Sequence, residues 1–341
     1  MKKIRWGLLG AGVILNDWLN GFHQLEDAQI VGIASRTRET AEKKACQYGI
    51  SESMTYDEML SRKDIDAVYI PVPHTAHKEL AIRALEAGIA VMVEKPAAVT
   101  AADWREMVSC ARKNHVFLME AVWTRCFPAM QSLKKEIDSG IIGDIRCVQS
   151  EFCFRIPDDY QGRLTDPMTA GGALLDVGVY NLHFADLVFG HAPLRWASLA
   201  SIGSDNVDEQ AGYIGQYENG ALAILTSAIR TTMVNDGWIY GTKGYIKVPR
   251  EFYMPDRYEI TVDRKTETRH FPIPQRVEGI NDKGYQFEIS HMQECLREGL
   301  TESPVVTHAM TESVLLQCDI LREQWGLKYP FENLQSTANH I

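Results

Sequence analysis

Near its start the chain runs from an apolar segment, Ile4 to Leu9, through Gly10-Ala11-Gly12-Val13-Ile14-Leu15 into a helix-like stretch over residues 13 to 24. The same alternation then continues, with apolar segments at Ala28 to Ser35, Ala67 to Pro71, Ala90 to Glu94 and Val116 to Glu120. Helical patterns lie between them at Arg38 to Tyr48, at Lys78 to Ala87 closed by Gly88, and at Ala101 to Lys113. Parallel strands need long crossovers, so five short apolar segments spaced by helices predict a parallel sheet wrapped by helices.

After about Trp123 the rhythm changes. A helix near Ala129 to Ser139 is followed by alternating segments, Arg146 to Phe154, Ala211 to Tyr217 and Ala221 to Ile229, which suit half-buried antiparallel strands. Glu218-Asn219-Gly220 and Thr242-Lys243-Gly244 read as hairpin turns. Long helical patterns return at Gly284 to Glu298 and Thr307 to Gln324, and only the last few residues read as a tail. The expected fold class is α/β followed by α+β. A Rossmann domain over residues 1–122 precedes a domain over 123–341 with a large, open, mainly antiparallel sheet and packed helices.

The glycine turn carries the first functional reading. Gly10 permits the tight turn, Gly12 lets backbone approach a pyrophosphate, and Ala11, Val13 and Ile14 bring the first helical turn to the phosphates. Leu15 stands where the dinucleotide fingerprint has its third glycine. At the end of the second strand an Asp or Glu would bind an adenosine 2′-hydroxyl and repel a 2′-phosphate. This chain has Ser35-Arg36-Thr37-Arg38 there instead. Ser35, Arg36 and Arg38 suit a phosphate dianion, so the expected cofactor is NADP. The alternative use of the two arginines is as solvated charges opening a helix.

A net charge of -10 without any dense Lys/Arg block speaks against nucleic acid or anionic membrane as a partner and favours a small molecule. Cys46, Cys110, Cys126, Cys147, Cys153, Cys295 and Cys318 are scattered without CxxC spacing, which predicts reduced thiols and neither a disulfide framework nor a zinc cluster. The N-terminal run is ended by Asn16 and Asp17 without a cleavage site, and no stretch approaches the ~18 apolar residues of a membrane span. A cytoplasmic protein is the expectation.

Several motifs together resemble the Gfo/Idh/MocA oxidoreductases across the whole chain. They are the glycine turn, Ile70-Pro71-Val72-Pro73-His74-Thr75-Ala76-His77, and Glu94-Lys95-Pro96. Met119 to Pro128 (MEAVWTRCFP) and Gly171 to Tyr180 (GGALLDVGVY) are similar to the branch of dimeric dihydrodiol dehydrogenases and NADP-dependent D-xylose dehydrogenases. In most of the wider family the helix motif reads D-x-G-x-H; here it ends in Tyr180, with His183 three residues on. The resemblance implies a cofactor site that also includes Pro71, Pro73, His74, His77, Glu94, Lys95 and Pro96. It further implies a homodimer formed through the C-terminal sheet.

Asp176 and Tyr180 stand four apart on a predicted helix, so both project from one face, with His183 near the same stripe. Lys95 follows a buried strand at the carboxyl edge of the sheet, where open α/β folds bind ligands. A positive charge lowers a phenol's pKa from its ordinary ~10, so Lys95 is expected to assist Tyr180 as the acid–base group, with Asp176 orienting the substrate hydroxyl or Lys95. Trp123, Arg125, Phe127 and Phe154 are expected to line the substrate site, with Arg155, Tyr160 and Arg163 as weaker candidates. Gly178, costly inside a helix, fits a place where cofactor or backbone passes close. The structural alternatives are a surface charge for Lys95, a core ring for Tyr180 or Trp123, and a helix-start residue for His77.

The expected reaction is hydride transfer between NADP and a small diol or aldose, in a direction the sequence leaves open, without a metal. Other readings are a 1,5-anhydrofructose or inositol-type oxidoreductase of the same family, or an NADP-binding regulator without turnover.

Overall fold

The computed structural model describes residues 3–332; the tail read at the C-terminus lies outside them. The chain divides into two compact units, one of residues 1–98, 102–126 and 273–311, the other of 99–101, 127–272 and 312–341.

The first unit holds a six-stranded sheet of β1 (Ile4–Leu9), β2 (Ala28–Ser35), β3 (Ser53–Thr55), β4 (Ala67–Ile70), β5 (Ala90–Glu94) and β6 (Leu118–Ala121). Every pairing is parallel and the order is β3-β2-β1-β4-β5-β6. Between the strands run α1 (Leu15–His23), α2 (Arg38–Tyr48), α3 (Tyr56–Ser61), α4 (His77–Glu86) and α5 (Ala101–Asn114). Burial on both faces explains why β4, β5 and β6 are apolar without alternation. The strand order reverses between β1 and β4, and the crevice beyond the carboxyl ends of those strands is the ligand position of such sheets. Strand β3 has only three residues, too few for a periodic signal to mark it.

The boundary read at residue 122 follows the change of rhythm, yet residues 273–311 group with the Rossmann sheet. Specific polar contacts hold that returning segment. Gln24 Oε1 accepts from the backbone N–H groups of Arg276 and Val277 at 2.6 and 2.9 Å. On the helix Tyr285–Arg297, Arg297 pairs with Asp27 at 2.6 Å.

The second unit is built on an eight-stranded sheet. Its strands are β7 (Ile145–Cys153), β8 (Arg195–Ile202), β9 (Asp208–Gln216), β10 (Leu222–Ala228), β11 (Gly237–Gly241), β12 (Gly244–Val248), β13 (Arg257–Val262) and β14 (Lys265–His270). The order is β14-β13-β12-β11-β7-β10-β9-β8, antiparallel except where β7 meets β10. Both hairpin turns fall where the sequence places them, between β9 and β10 and between β11 and β12. One face carries α6 (Pro128–Asp138), which packs on β13, and α7 (Val179–Phe189), which packs on β7 and β10. Helix α7 is buried almost throughout, which accounts for its apolar character on all sides. The opposite face leaves large apolar side chains in solvent, among them Leu199 at 84% exposure, Ile214 at 43% and Ile224 at 36%.

Candidate active site

At the switch point Gly10 adopts φ +112°, and a Cβ there would lie 2.3 Å from Val72 Cγ1. A Cβ on Gly12 would lie 2.6 Å from Pro71 O, to which the Gly12 N–H donates at 2.8 Å. Both glycines are therefore needed to bring the β1–α1 turn against the end of β4. This leaves a side-chain-free cradle at the amino end of α1, which fits a dinucleotide pyrophosphate.

At the end of β2, Ser35 is half-buried and Arg36 exposed. Thr37 caps α2, its side chain accepting from the Thr40 N–H. Arg38 is already engaged, pairing with Glu58 and donating to Ser53 O at 3.4 Å. Glu58 in turn belongs to a capping box with Thr55 at the start of α3. Of the two arginines read as phosphate ligands, Arg36 is the one outside that network.

The loops after β4 and β5 are tied together by His77, which is fully buried. Its Nδ1 lies 2.9 Å from Pro96 O and its Nε2 2.9 Å from Val72 O. Burial pulls the ring down to about 4, opposed by those carbonyl acceptors. The ring is thus held between two backbone carbonyls and, as a neutral imidazole, donates to one of them. His74 is also buried, its ring edge-on to His77 at 5.8 Å. Buried Glu94 takes the Tyr69 hydroxyl and accepts from the Lys95 N–H at 3.1 Å. Lys95 itself is half-buried and precedes a cis bond to Pro96.

In the second unit, residues Leu174–Gly178 form a single π turn that continues into α7. This changes the geometry expected for Asp176 and Tyr180, because a widened turn does not keep the four-residue alignment of a regular helix. Asp176 has 7% of its side chain exposed and pairs with Arg163 Nη1 at 2.8 Å. Tyr180 lies beside a stacked pair of rings, Phe152 at 5.3 Å and Tyr253 at 5.9 Å, which face each other at 3.8 Å. Gly178 is required by the sheet: a Cβ would lie 2.9 Å from the Tyr213 hydroxyl and 3.0 Å from Leu174 Cδ1. Asp208 accepts from the Leu174 N–H at 2.6 Å and so holds the start of the π turn; burial lifts its carboxyl to about 7.

The remaining candidates divide. Trp123 is buried and stacked on Tyr285 at 4.1 Å, and Phe127 is fully buried, which is how core rings behave. Arg125 is half-buried. Phe154 and Tyr160 pack, with Phe152, on the apolar cluster of Ile156, Leu164, Ala173, Val177 and Ile229. Arg155 is exposed and pairs with Asp158 at 2.9 Å. Buried His183 lies on α7. Tyr253 was not legible, since it sits in an irregular stretch between β12 and β13 without any motif around it. No group of three or more His, Cys, Asp or Glu suited to a metal occurs among the described residues, and none of their helices is long and apolar enough to cross a membrane.

Comparison with known proteins places these motifs. Residues 4–122 match the GFO_IDH_MocA profile, described as an oxidoreductase family with an NAD-binding Rossmann fold, and residues 130–247 match the GFO/IDH/MocA C-terminal domain. The trans-1,2-dihydrobenzene-1,2-diol dehydrogenase of Mus musculus is 34% identical over 334 residues, covering 96% of this chain and 98% of its own. A 3-ketoreductase from Actinomadura kijaniata, solved with NADP and TDP-benzene, superposes with a TM-score of 0.81 at 25% identity, covering 94% of this chain and 98% of its own. A levoglucosan dehydrogenase solved with NADH and levoglucosan has the same fold, with a TM-score of 0.82 at 22% identity over 94% of this chain and 97% of its own.

Proposed function

The chain belongs to the Gfo/Idh/MocA family of NAD(P)-dependent oxidoreductases, and from that membership we propose that it is an NADP-dependent dehydrogenase or reductase acting on a small vicinal diol or aldose. The observation that carries the reading is Tyr180, which stands where the wider family pattern has histidine and lies among aromatic rings beside the π turn that bears Asp176. The full-length likeness to a dihydrodiol dehydrogenase supports the same substrate class.

The nicotinamide, when bound, supplies or accepts the hydride. The chain's own residues handle the proton and the fit. Tyr180 exchanges the proton of the substrate hydroxyl, Lys95 supplies the positive charge that favours a deprotonated phenolic oxygen, and Asp176 orients the reacting hydroxyl. Aromatic faces suit the apolar face of a dihydrodiol or sugar ring.

NADP preference rests on Ser35 and Arg36 at the end of a strand that lacks a carboxylate. Arg36→Ala is expected to weaken NADP+ binding about 10- to 100-fold, the worth of a charge-assisted contact, and to leave NAD+ binding within about twofold. A protein-fluorescence titration with both cofactors reads this. Equal or tighter binding of NAD+ by the unmodified protein would overturn the assignment.

The exposed apolar face of the second sheet supports a homodimer. Ile214 pairs in register with Ala197 on β8 and Ile224 on β10, so these side chains lie in one row, and Leu199 stands one step along on the same face. Light scattering after size exclusion is expected to give twice the chain mass of 38.4 kDa. The pair Leu199→Lys and Ile224→Lys is expected to return it to the mass of one chain, and a monomeric unmodified protein at micromolar concentration would sink the proposal.

A further inference from the structure

We propose that Arg163 is a positioning residue of the reaction: its guanidinium fixes the Asp176 carboxylate and, through it, the substrate hydroxyl. This rests on the functional reading of Asp176 and Tyr180 given above and identifies the group that holds the first of them in place.

A nearly buried carboxylate is costly without a compensating partner. Arg163 Nη1 stands 2.8 Å from Asp176 Oδ1, with 44% of the arginine side chain exposed against 7% of the aspartate. Arg163 is therefore the member of the pair that faces outward, and Asp176 the member inside. The pairing joins two backbones that are separately immobilised. On the arginine's side, the loop after β7 doubles back on itself: Thr169 Oγ1 donates to Arg163 O at 3.1 Å, and the Gly172 N–H donates to Leu164 O at 2.9 Å. The next residue, Leu164, is buried against Ala173 and Val177, which flank Asp176 in the π-turn region. On the aspartate's side, Asp208 holds the Leu174 N–H.

An ion pair between two fixed supports sets direction as well as charge, and a planar guanidinium sets direction better than an ammonium. A widened π turn gives Asp176 a backbone position that a regular helix would not, so the carboxylate needs a partner outside the helix to orient it. Arg163 is supplied by the loop that leads directly into that turn.

The test is steady-state kinetics with NADP+ and a diol that the unmodified protein oxidises, on Arg163→Ala, Arg163→Lys, Asp176→Asn and the double variant Arg163→Ala/Asp176→Asn. Arg163→Ala is expected to lower kcat roughly 10- to 100-fold, with the KM for NADP+ within about twofold. Arg163→Lys is expected to recover only part of that loss, because the charge returns without the fork. In the Asp176→Asn background, removing Arg163 is expected to cost no more than about a further twofold, since the partner it orients is already gone.

Full additivity of the two losses would overturn the proposal, as would a kcat for Arg163→Ala equal to that of the unmodified protein while Asp176→Asn is impaired. Either result leaves the functional reading standing. If Asp176→Asn turns over normally, it is the reading of Asp176 that fails, and the role of Arg163 fails with it.

Discussion

Tyr180→Phe is expected to abolish most of the turnover, lowering kcat by about 10² to 10⁴, the range that a positioned acid or base contributes. The substitution removes one oxygen and keeps the ring that packs with Phe152 and Tyr253, so the thermal midpoint should barely move. Cofactor binding should also persist. For the unmodified protein, alcohol oxidation requires the phenolic oxygen to accept a proton, so its rate should rise between about pH 6 and 10, whereas carbonyl reduction uses the neutral phenol and should not gain at alkaline pH. The residual oxidation by Tyr180→Phe should lose that rise. A folded variant that keeps a tenth or more of kcat, as an order-of-magnitude threshold, would remove Tyr180 from the chemistry.

Lys95→Met is expected to have an effect of similar size, again about 10² to 10⁴ in kcat. Its specificity can be read from the loop around it. The Lys95 backbone N–H donates to Glu94 Oε2 at 3.1 Å, Glu94 is held by the Tyr69 hydroxyl, and Pro96 O is held by His77. Methionine retains much of the apolar stem. The β5 loop is expected to survive, with NADP+ binding within about threefold in a fluorescence titration. Normal turnover by a folded Lys95→Met protein that binds NADP+ would defeat the assignment of the positive charge to Lys95.

The parallel sheet was legible because its strands are buried on both faces and so stand out as short apolar runs between helical patterns; Gly10 and Gly12 then located the turn at its switch point. What escaped had weaker physical signals. Strand β3 is three residues long, and β14, KTETRH, has no apolar side chain at all. The return of residues 273–311 to the first unit depends on contacts such as Gln24 with Arg276, which join positions far apart in the chain.

The candidate site was read from residue types, and its geometry was less legible. Asp176 and Tyr180 were aligned on the assumption of a regular helix, and nothing in the letters LLDVG announces a π turn. His77 and Trp123 look like ligand-facing residues because polar or aromatic groups near a strand end often are. The fold adds that His77 is buried between the Pro96 and Val72 carbonyls and that Trp123 is buried against Tyr285. Gly178 invited a functional explanation, but the Tyr213 hydroxyl already stands where its Cβ would meet it. Tyr253 has no periodic or motif context, and only the folded chain brings it onto Phe152.

The most direct test of the central claim is to follow the reduced-nicotinamide absorbance of the purified protein with NADP+ or NAD+ and with D-xylose or a trans-dihydrodiol. NADPH formation with at least one of these substrates, faster than NADH formation under matched conditions, is the expected result. Saturable NADP+ binding without hydride transfer to or from any member of a broad diol, sugar and carbonyl panel would contradict it, and would point instead to a protein that binds the cofactor without turning it over.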